Sequence, residues 1–160
     1  EIAGMTAAGL FVMMALMFIG ASPGSTGGGV KTTTFGITVF ALWATVRGDR
    51  EPVIFHRRIA AETISKAFFI SLIAFLTLNL VGGLVLIVER SDLLPTLFEA
   101  TSAFGTVGLS MNVTPGLNII QKLAVILLMF IGRVGPLTMA FAWATSKRSL
   151  VYAEEAVMVG

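Results

Sequence analysis

The sequence predicts an all-α membrane protein made of helix, re-entrant loop, helix units, and three observations carry that prediction. Hydrophobic residues make up 56% of the 160 residues and charged residues only 12%, about half the charge of an ordinary soluble domain. Ala67 to Val88 runs without a charge, long enough to cross a bilayer as one helix. Met17-Phe18-Ile19-Gly20 recurs as Met129-Phe130-Ile131-Gly132 after a similar apolar lead-in, and a paired proline and glycine follow each copy. That reads as an internal repeat of one structural unit.

Taken in order, Met5 to Ile19 is apolar but short of the roughly 20 residues a spanning helix needs. It stops at a loop, Gly20 to Thr34, and apolar character resumes from Phe35 to Val46. The pieces predict one crossing interrupted by a non-helical insert, which a bilayer tolerates only where the insert is buried in protein or lines a wet cavity. Pro23, Gly24, Ser25, Gly27, Gly28 and Gly29 crowd the insert. Each glycine disfavours helix by about 1 kcal/mol and proline by more, so a displaceable loop is expected, against a passive kink for helix packing. The polar linker from Arg47 to Arg58 carries Arg47, Arg50, Arg57 and Arg58 against Asp49 and Glu51, which predicts the cytoplasmic side. An outer helix over 59–88 then returns outward, with Asn79 in mid-span expected to hydrogen-bond a neighbouring helix.

Ser91-Asp92 supplies a helix start, Pro95 falls in the first turn, and Leu97 to Phe104 is apolar around Glu99. A short helix there ends with its negative pole beside Thr106-Val107-Gly108, where cations are favoured. Gly108 permits backbone dihedrals that larger residues resist, so the turn can present carbonyl oxygens to a bare cation. The segment 92–110 is therefore read as a pore helix and ion filter of potassium-channel type. The filter is Thr106, Val107, Gly108 and Leu109, with K⁺ held by the carbonyls of Thr106, Val107 and Gly108. Glu99 is expected to anchor the filter from behind rather than to bind the ion. Pro115-Gly116 marks a turn before an inner helix over 118–147, and Lys147-Arg148 brings a second basic cluster to the same side as the first.

Three strings, FIGASPGSTGGGVKTTTF (Phe18 to Phe35), FEATSAFGTVGLS (Phe98 to Ser110) and LLMFIGRVGPLT (Leu127 to Thr138), resemble in that order the third inner helix, fourth filter and fourth inner helix of one family. It is the Trk/Ktr/HKT superfamily of potassium transporters, with its bacterial KtrB-type membrane subunits. The resemblance covers nearly the whole chain. It implies four helix, pore loop, helix repeats in one polypeptide, of which residues 1–48 would be the broken inner helix of the third and 59–149 the complete fourth. The other repeats would precede Glu1. TVGLS departs from the TVGYG of tetrameric potassium channels at its last two positions, and the shared filter glycine maps onto Gly108.

The resemblance further implies an intramembrane gate formed by Ser22, Pro23, Gly24, Ser25, Thr26, Gly27, Gly28, Gly29 and Lys31. Lys31 either ties the loop down or snorkels towards water. Arg133 stands in an otherwise uncharged helix, where facing lipid would cost about 2.5 to 3.5 kcal/mol. It is expected to face the pore and meet loop carbonyls or hydroxyls, as an electrostatic barrier beneath the filter or as a tie between helices. K⁺ is the cargo, with Na⁺ as a candidate activator and no organic cofactor. The implied partners are a second copy in a homodimer, a cytoplasmic ring of nucleotide-binding regulatory subunits and membrane lipids, in the bacterial inner membrane. The tail 150–160 either packs at the dimer contact or frays.

Other classes fit less well. A net charge of +2 with basic residues confined to loops gives no footprint for nucleic acid. Cysteine is absent, which excludes disulfides and thiolate metal sites. His56 has no second ligand at a metal-site spacing and is assigned no role. The eight methionines fall mostly within apolar runs, as flexible packing filler. Gly24 to Thr32 looks like a phosphate loop, but Val30 separates Gly29 from Lys31 and an apolar helix stands where a strand is required. No enzymatic activity is expected. An alternating-access cation symporter with a midplane site also uses broken helices and is the stronger rival. A nonconducting structural subunit fits only a chain that truly starts at Glu1. With no initiator Met and no charged leader, Met5 to Ile19 is not a signal peptide and the start reads as truncated.

Overall fold

The computed structural model describes residues 2–48, 52–54, 57–89 and 92–135. Among them are five α-helices and one small hairpin, in the order α1 (Ala7–Phe18), α2 (Thr32–Arg47), β1 (Val53–Ile54), β2 (Arg57–Arg58), α3 (Ala61–Glu89), α4 (Leu93–Gly105) and α5 (Ile119–Val134). The chain is an all-α membrane protein. α3 is long and apolar enough to cross a bilayer, its most apolar 18-residue stretch reaching a mean hydropathy of 2.4, and it is apolar all round. Ala74, Leu78, Val81 and Val85 face inward while Leu72, Leu76, Leu80 and Ile87 stay exposed. A helix with no polar face belongs in lipid or in a protein core.

α4 lies at the centre, packed by α1, α3 and α5. Thr96, Phe98 and every residue from Ala100 to Gly105 are buried. Its two threonine hydroxyls are satisfied by nearby backbone: Thr96 Oγ1 donates to the Asp92 carbonyl at 3.0 Å and Thr101 Oγ1 to the Leu97 carbonyl at 2.6 Å. That spares the core an unpaired polar group. Small residues let the helices approach, Ala74 of α3 and Ala100 and Ala103 of α4 sharing one cluster with Leu117, Val125 and Leu128. Such residues suit helix contacts in membranes. The Phe18 ring at the end of α1 stacks on Phe104, centroids 5.9 Å apart.

Several element bounds differ from those expected. Thr32 to Thr34 belong to α2 rather than to the loop. Threonine is a modest helix former, but the first turn has free N–H groups in any case, and Phe35 N–H already closes onto the Lys31 carbonyl at 3.0 Å. The linker expected over 49–58 contains an antiparallel pair, Val53 opposite Arg58 and Ile54 opposite Arg57, where β-branched residues favour extended backbone. Among the described residues Asn79 bonds to no other helix; its Nδ2 donates to the Phe75 carbonyl of α3 at 2.8 Å.

The inner helix, expected to run to 147, ends at Val134. Gly135 leaves it at φ 92, a left-handed setting suited to glycine, just before Pro136, which disfavours helix in the residue preceding it. The remainder of that expected helix, Lys147, Arg148 and the tail 150–160 lie outside the described residues, as do Asp49, Arg50, Glu51 and His56.

α5 starts on a reciprocal cap. Asn118 N–H donates to Gln121 Oε1 at 2.8 Å and Gln121 N–H to Asn118 Oδ1 at 3.0 Å, the pairing that satisfies two free amides at once. Gln121 is 1% exposed, and its Nε2 donates across to the Val85 carbonyl of α3 at 3.0 Å. Gln121→Ala removes the cap partner and the cross-helix bond together. The expected loss is about 2 kcal/mol, seen as a fall of several degrees in the unfolding midpoint of the detergent-solubilised protein.

Candidate ion pathway

Two irregular backbone stretches, Ile19 to Lys31 and Thr106 to Val113, meet at the C-terminal end of α4. The second begins where α4 is capped. Thr106 turns left-handed at φ 54 and its N–H closes onto the Ala103 carbonyl at 3.1 Å, with Val107 N–H on the Ser102 carbonyl at 3.0 Å. These bonds hold a non-glycine residue in a setting that costs about 1–2 kcal/mol. Gly108 lies at φ 84, where a side chain would be strained. Among the described residues the carbonyl oxygens of Thr106, Val107, Gly108 and Leu109 accept no hydrogen bond. Four successive carbonyls without partners, beside the negative end of a helix, can coordinate a cation.

Glu99, on the middle of α4, holds the far end of this stretch. Its Oε1 accepts from the Met111 and Val113 N–H groups, each at 3.1 Å, and from the Ser110 hydroxyl, while its Oε2 accepts from the Thr114 hydroxyl at 3.2 Å. Both carboxylate oxygens are thus engaged by protein donors, the anchoring geometry expected from the sequence.

The first stretch folds back along the end of α1. Gly20 N–H donates to the Val30 carbonyl at 2.8 Å and Val30 N–H to the Phe18 carbonyl at 3.0 Å, forming a parallel bridge between Ile19 and Val30. Val30 is 1% exposed. From that bridge the Gly28 and Gly29 amides point outward into the rest of the fold. Gly28 N–H donates to Thr106 Oγ1 at 2.8 Å and Gly29 N–H to the Gly132 carbonyl of α5 at 3.2 Å. Lys31 Nζ caps the other side, on the Gly27 carbonyl at 2.8 Å and the Ser25 carbonyl at 3.4 Å. Ser22, Pro23, Gly24, Ser25 and Thr26 form the exposed tip.

Steric fit accounts for the glycines. A Cβ on Gly28 would lie 2.8 Å from Thr106 Cγ2, 2.9 Å from the Phe104 oxygen and 3.0 Å from the Gly132 oxygen. One on Gly132 would collide with the Phe104 carbonyl, and one on Gly105 would lie 2.6 Å from the Met17 carbonyl. The loop, the end of α4 and the two MFIG segments therefore pack backbone against backbone.

The structure thus brings Gly28, Gly29 and Lys31 together with Thr106, and Lys31 takes the tying role. It does not bring Arg133 to the loop. Arg133 is exposed and among the described residues has no hydrogen bond or ion pair, and the carbonyls it was expected to meet are held by Lys31, which is only four residues from Gly27. Sequence reasoning missed Phe104, Gly105 and Gly132 as contact points. The repeated MFIG glycine was their visible signal.

A short buried helix that delivers unpaired backbone beside a broken helix, amid helices whose apolar side chains stay exposed, defines an all-α membrane protein with an irregular centre. The family model for TrkH, described as a cation transport protein, matches residues 1–150. The chain belongs to that family. It is 42% identical to the Ktr system potassium uptake protein B of Bacillus subtilis over 91% of this chain and 33% of that protein. It is 38% identical to the Ktr system potassium uptake protein D of the same organism, over 94% and 34%. To the potassium/sodium uptake protein NtpJ of Enterococcus hirae it is 38% identical, over 98% and 36%. The chain spans about a third of the length of these relatives.

The Lys31 tie has a direct readout. Lys31→Met keeps the aliphatic stem and removes the ammonium, so amide hydrogen exchange in peptides covering residues 22–29 should rise severalfold. Exchange in α4 should stay unchanged.

Proposed function

We propose that the protein takes up K⁺ across the bacterial plasma membrane through a channel-like pore, as the ion-translocating subunit of a Ktr/Trk-type system. In this reading Thr106, Val107, Gly108 and Leu109 form one of four filter lines. Ser22 to Gly29 with Lys31 form the gate below it. The observation that carries the reading is the run of unpaired carbonyls from Thr106 to Leu109 at the end of a buried helix. Its direct bond to the loop, Gly28 to Thr106, supports a gate that seats against the filter. The potassium uptake named for the relatives agrees with K⁺ as cargo, and the sodium in the name of NtpJ keeps Na⁺ as a second ion or activator.

The remaining filter lines would come from repeats preceding Glu1, with a second copy and a cytoplasmic ring of nucleotide-binding subunits completing the system. The linker after α2 would face the cytoplasm, and Arg133 would act below the filter as a barrier to cations or as a tie to other repeats. The break between α1 and α2 also suits an alternating-access symporter. Flux rates separate the two: passage down the gradient faster than a carrier cycle supports the pore, and slow saturable flux strictly coupled to a second ion supports the carrier.

Gly108→Ser should lower the preference for K⁺ over Na⁺ by roughly tenfold, because a side chain at a left-handed position displaces the carbonyls on either side. Tracer uptake of the two ions into proteoliposomes measures it, and an unchanged ratio removes Gly108 from the filter. Deletion of Gly24 to Gly29 should raise basal K⁺ flux severalfold. A folded deletion variant with parental flux removes the gate.

A further inference from the structure

The stretch of backbone with free carbonyls is suspended between two fixed ends, and the outer end is held by one side chain. At the inner end Thr106 and Val107 N–H groups are bonded to the last turn of α4. At the outer end everything converges on Glu99. Three donors meet its Oε1, from Ser110, Met111 and Val113, and the Thr114 hydroxyl meets its Oε2. Ser110 also passes the hold onward, since its Oγ accepts from the Asn112 N–H at 2.9 Å. Asn112 itself is left-handed at φ 66, a bend that brings the chain back towards the carboxylate. Between the two ends no hydrogen bond among the described residues fixes residues 108 and 109.

Glu99 is therefore placed to set where the carbonyls of Thr106 to Leu109 stand. It lines the same cavity, about 350 Å³, as Ser102, Thr106, Gly108 and Leu109. Cation discrimination by main-chain oxygens depends on the size of the cage or on the number and field of its dipoles, and either changes when one end of a suspended line is released. We infer that Glu99 is the positioning residue for cation selectivity in this repeat. It acts through the backbone it holds and not as an ion ligand, because protein donors occupy both of its oxygens. This inference rests on the filter reading of Thr106 to Leu109.

The chemistry of the anchor separates holding from charge. Glutamine keeps an oxygen for the three donors at Oε1, and its amide nitrogen can donate to the Thr114 hydroxyl, which accepts as readily as it donates. Alanine removes all four bonds. The test uses the full-length protein in proteoliposomes, reading K⁺ and Na⁺ uptake side by side, with the unfolding midpoint of each variant as the check on folding. Glu99→Ala should lower the K⁺ over Na⁺ ratio by about tenfold, the scale of losing bonds to a charged group. Glu99→Gln should restore the ratio to within about twofold of the parent, and Ser110→Ala, which loses one of the four bonds to Glu99 together with the bond from the Asn112 N–H, should give an intermediate fall.

If Glu99→Ala does not fold, Ser110→Ala against Glu99→Gln decides the matter. Parental ratios in Glu99→Ala or Ser110→Ala overturn the inference, and so does a fall in Glu99→Gln as deep as in Glu99→Ala, which would make charge the cause. A parent protein that carries no K⁺ at all overturns the filter reading instead, a separate result seen before any variant is compared.

Discussion

Backbone freed from a helix at membrane depth must find partners in the protein or line a wet cavity, and the fold depends on meeting that constraint where helices stop. At the C-terminal end of α4 three pieces of main chain cross within van der Waals contact: the loop at Gly28 and Gly29, α5 at Gly132, and the Phe104-Gly105 end of α4. The side chain nearest Gly28 is that of Thr106, whose hydroxyl takes the Gly28 amide, while the Gly29 amide is satisfied by the Gly132 carbonyl of another segment. An irregular loop of this kind is tolerated in a bilayer only where protein buries it or it lines a wet cavity. The glycines therefore do more than loosen the insert. They let it dock.

Docking of the loop and exposure of the carbonyls are two results of one arrangement. α4 ends by turning Thr106 left-handed, and that turn sends the Thr106 hydroxyl to Gly28 while the following carbonyls remain without partners. Further along, Glu99 gathers the amides of Met111 and Val113. The main chain between these points has its ends satisfied and its middle free. Hydrogen bonds to the backbone here serve to leave particular oxygens unbonded, the inverse of their use in a helix or sheet.

Much of this was legible in the sequence because its physics is local. Proline and a glycine run break a helix wherever they fall, so the gap between α1 and α2 could be read directly from Pro23 to Gly29. The Ser-Asp start and the Thr-Val-Gly end likewise bounded α4 to within a residue or two. What escaped reading depends on partners distant in sequence. Asn79 bonds to its own helix, with no acceptor from a neighbour among the described residues, which no feature of α3 announces. Arg133 was expected to meet the loop carbonyls or hydroxyls and Lys31 to tie the loop down or snorkel, and the carbonyls of Ser25 and Gly27 went to the lysine, which is nearer along the chain. Gln121 reads as a polar residue in an apolar helix, and its reach to Val85 becomes visible only once α3 and α5 are side by side. The hairpin pairing Ile54 with Arg57 was hidden by the charges around it.

The repeated tetrapeptide shows how context decides the outcome of identical residues. In its first copy the helix ends at Phe18, and the chain leaves at Ile19 to pair with Val30. In its second copy the helix runs on through Ile131 and Gly132 to Val134. The difference lies downstream. Ala21-Ser22-Pro23-Gly24 cannot extend a helix, whereas Arg133-Val134 can, and termination is deferred to Gly135 before Pro136. Yet in both copies the glycine is where another backbone passes: Gly20 lies against Gly28 and Gly29, and Gly132 against Phe104. The repeat thus conveys a place of close approach rather than a secondary structure, and the flanking residues determine whether the chain at that place is helix or loop.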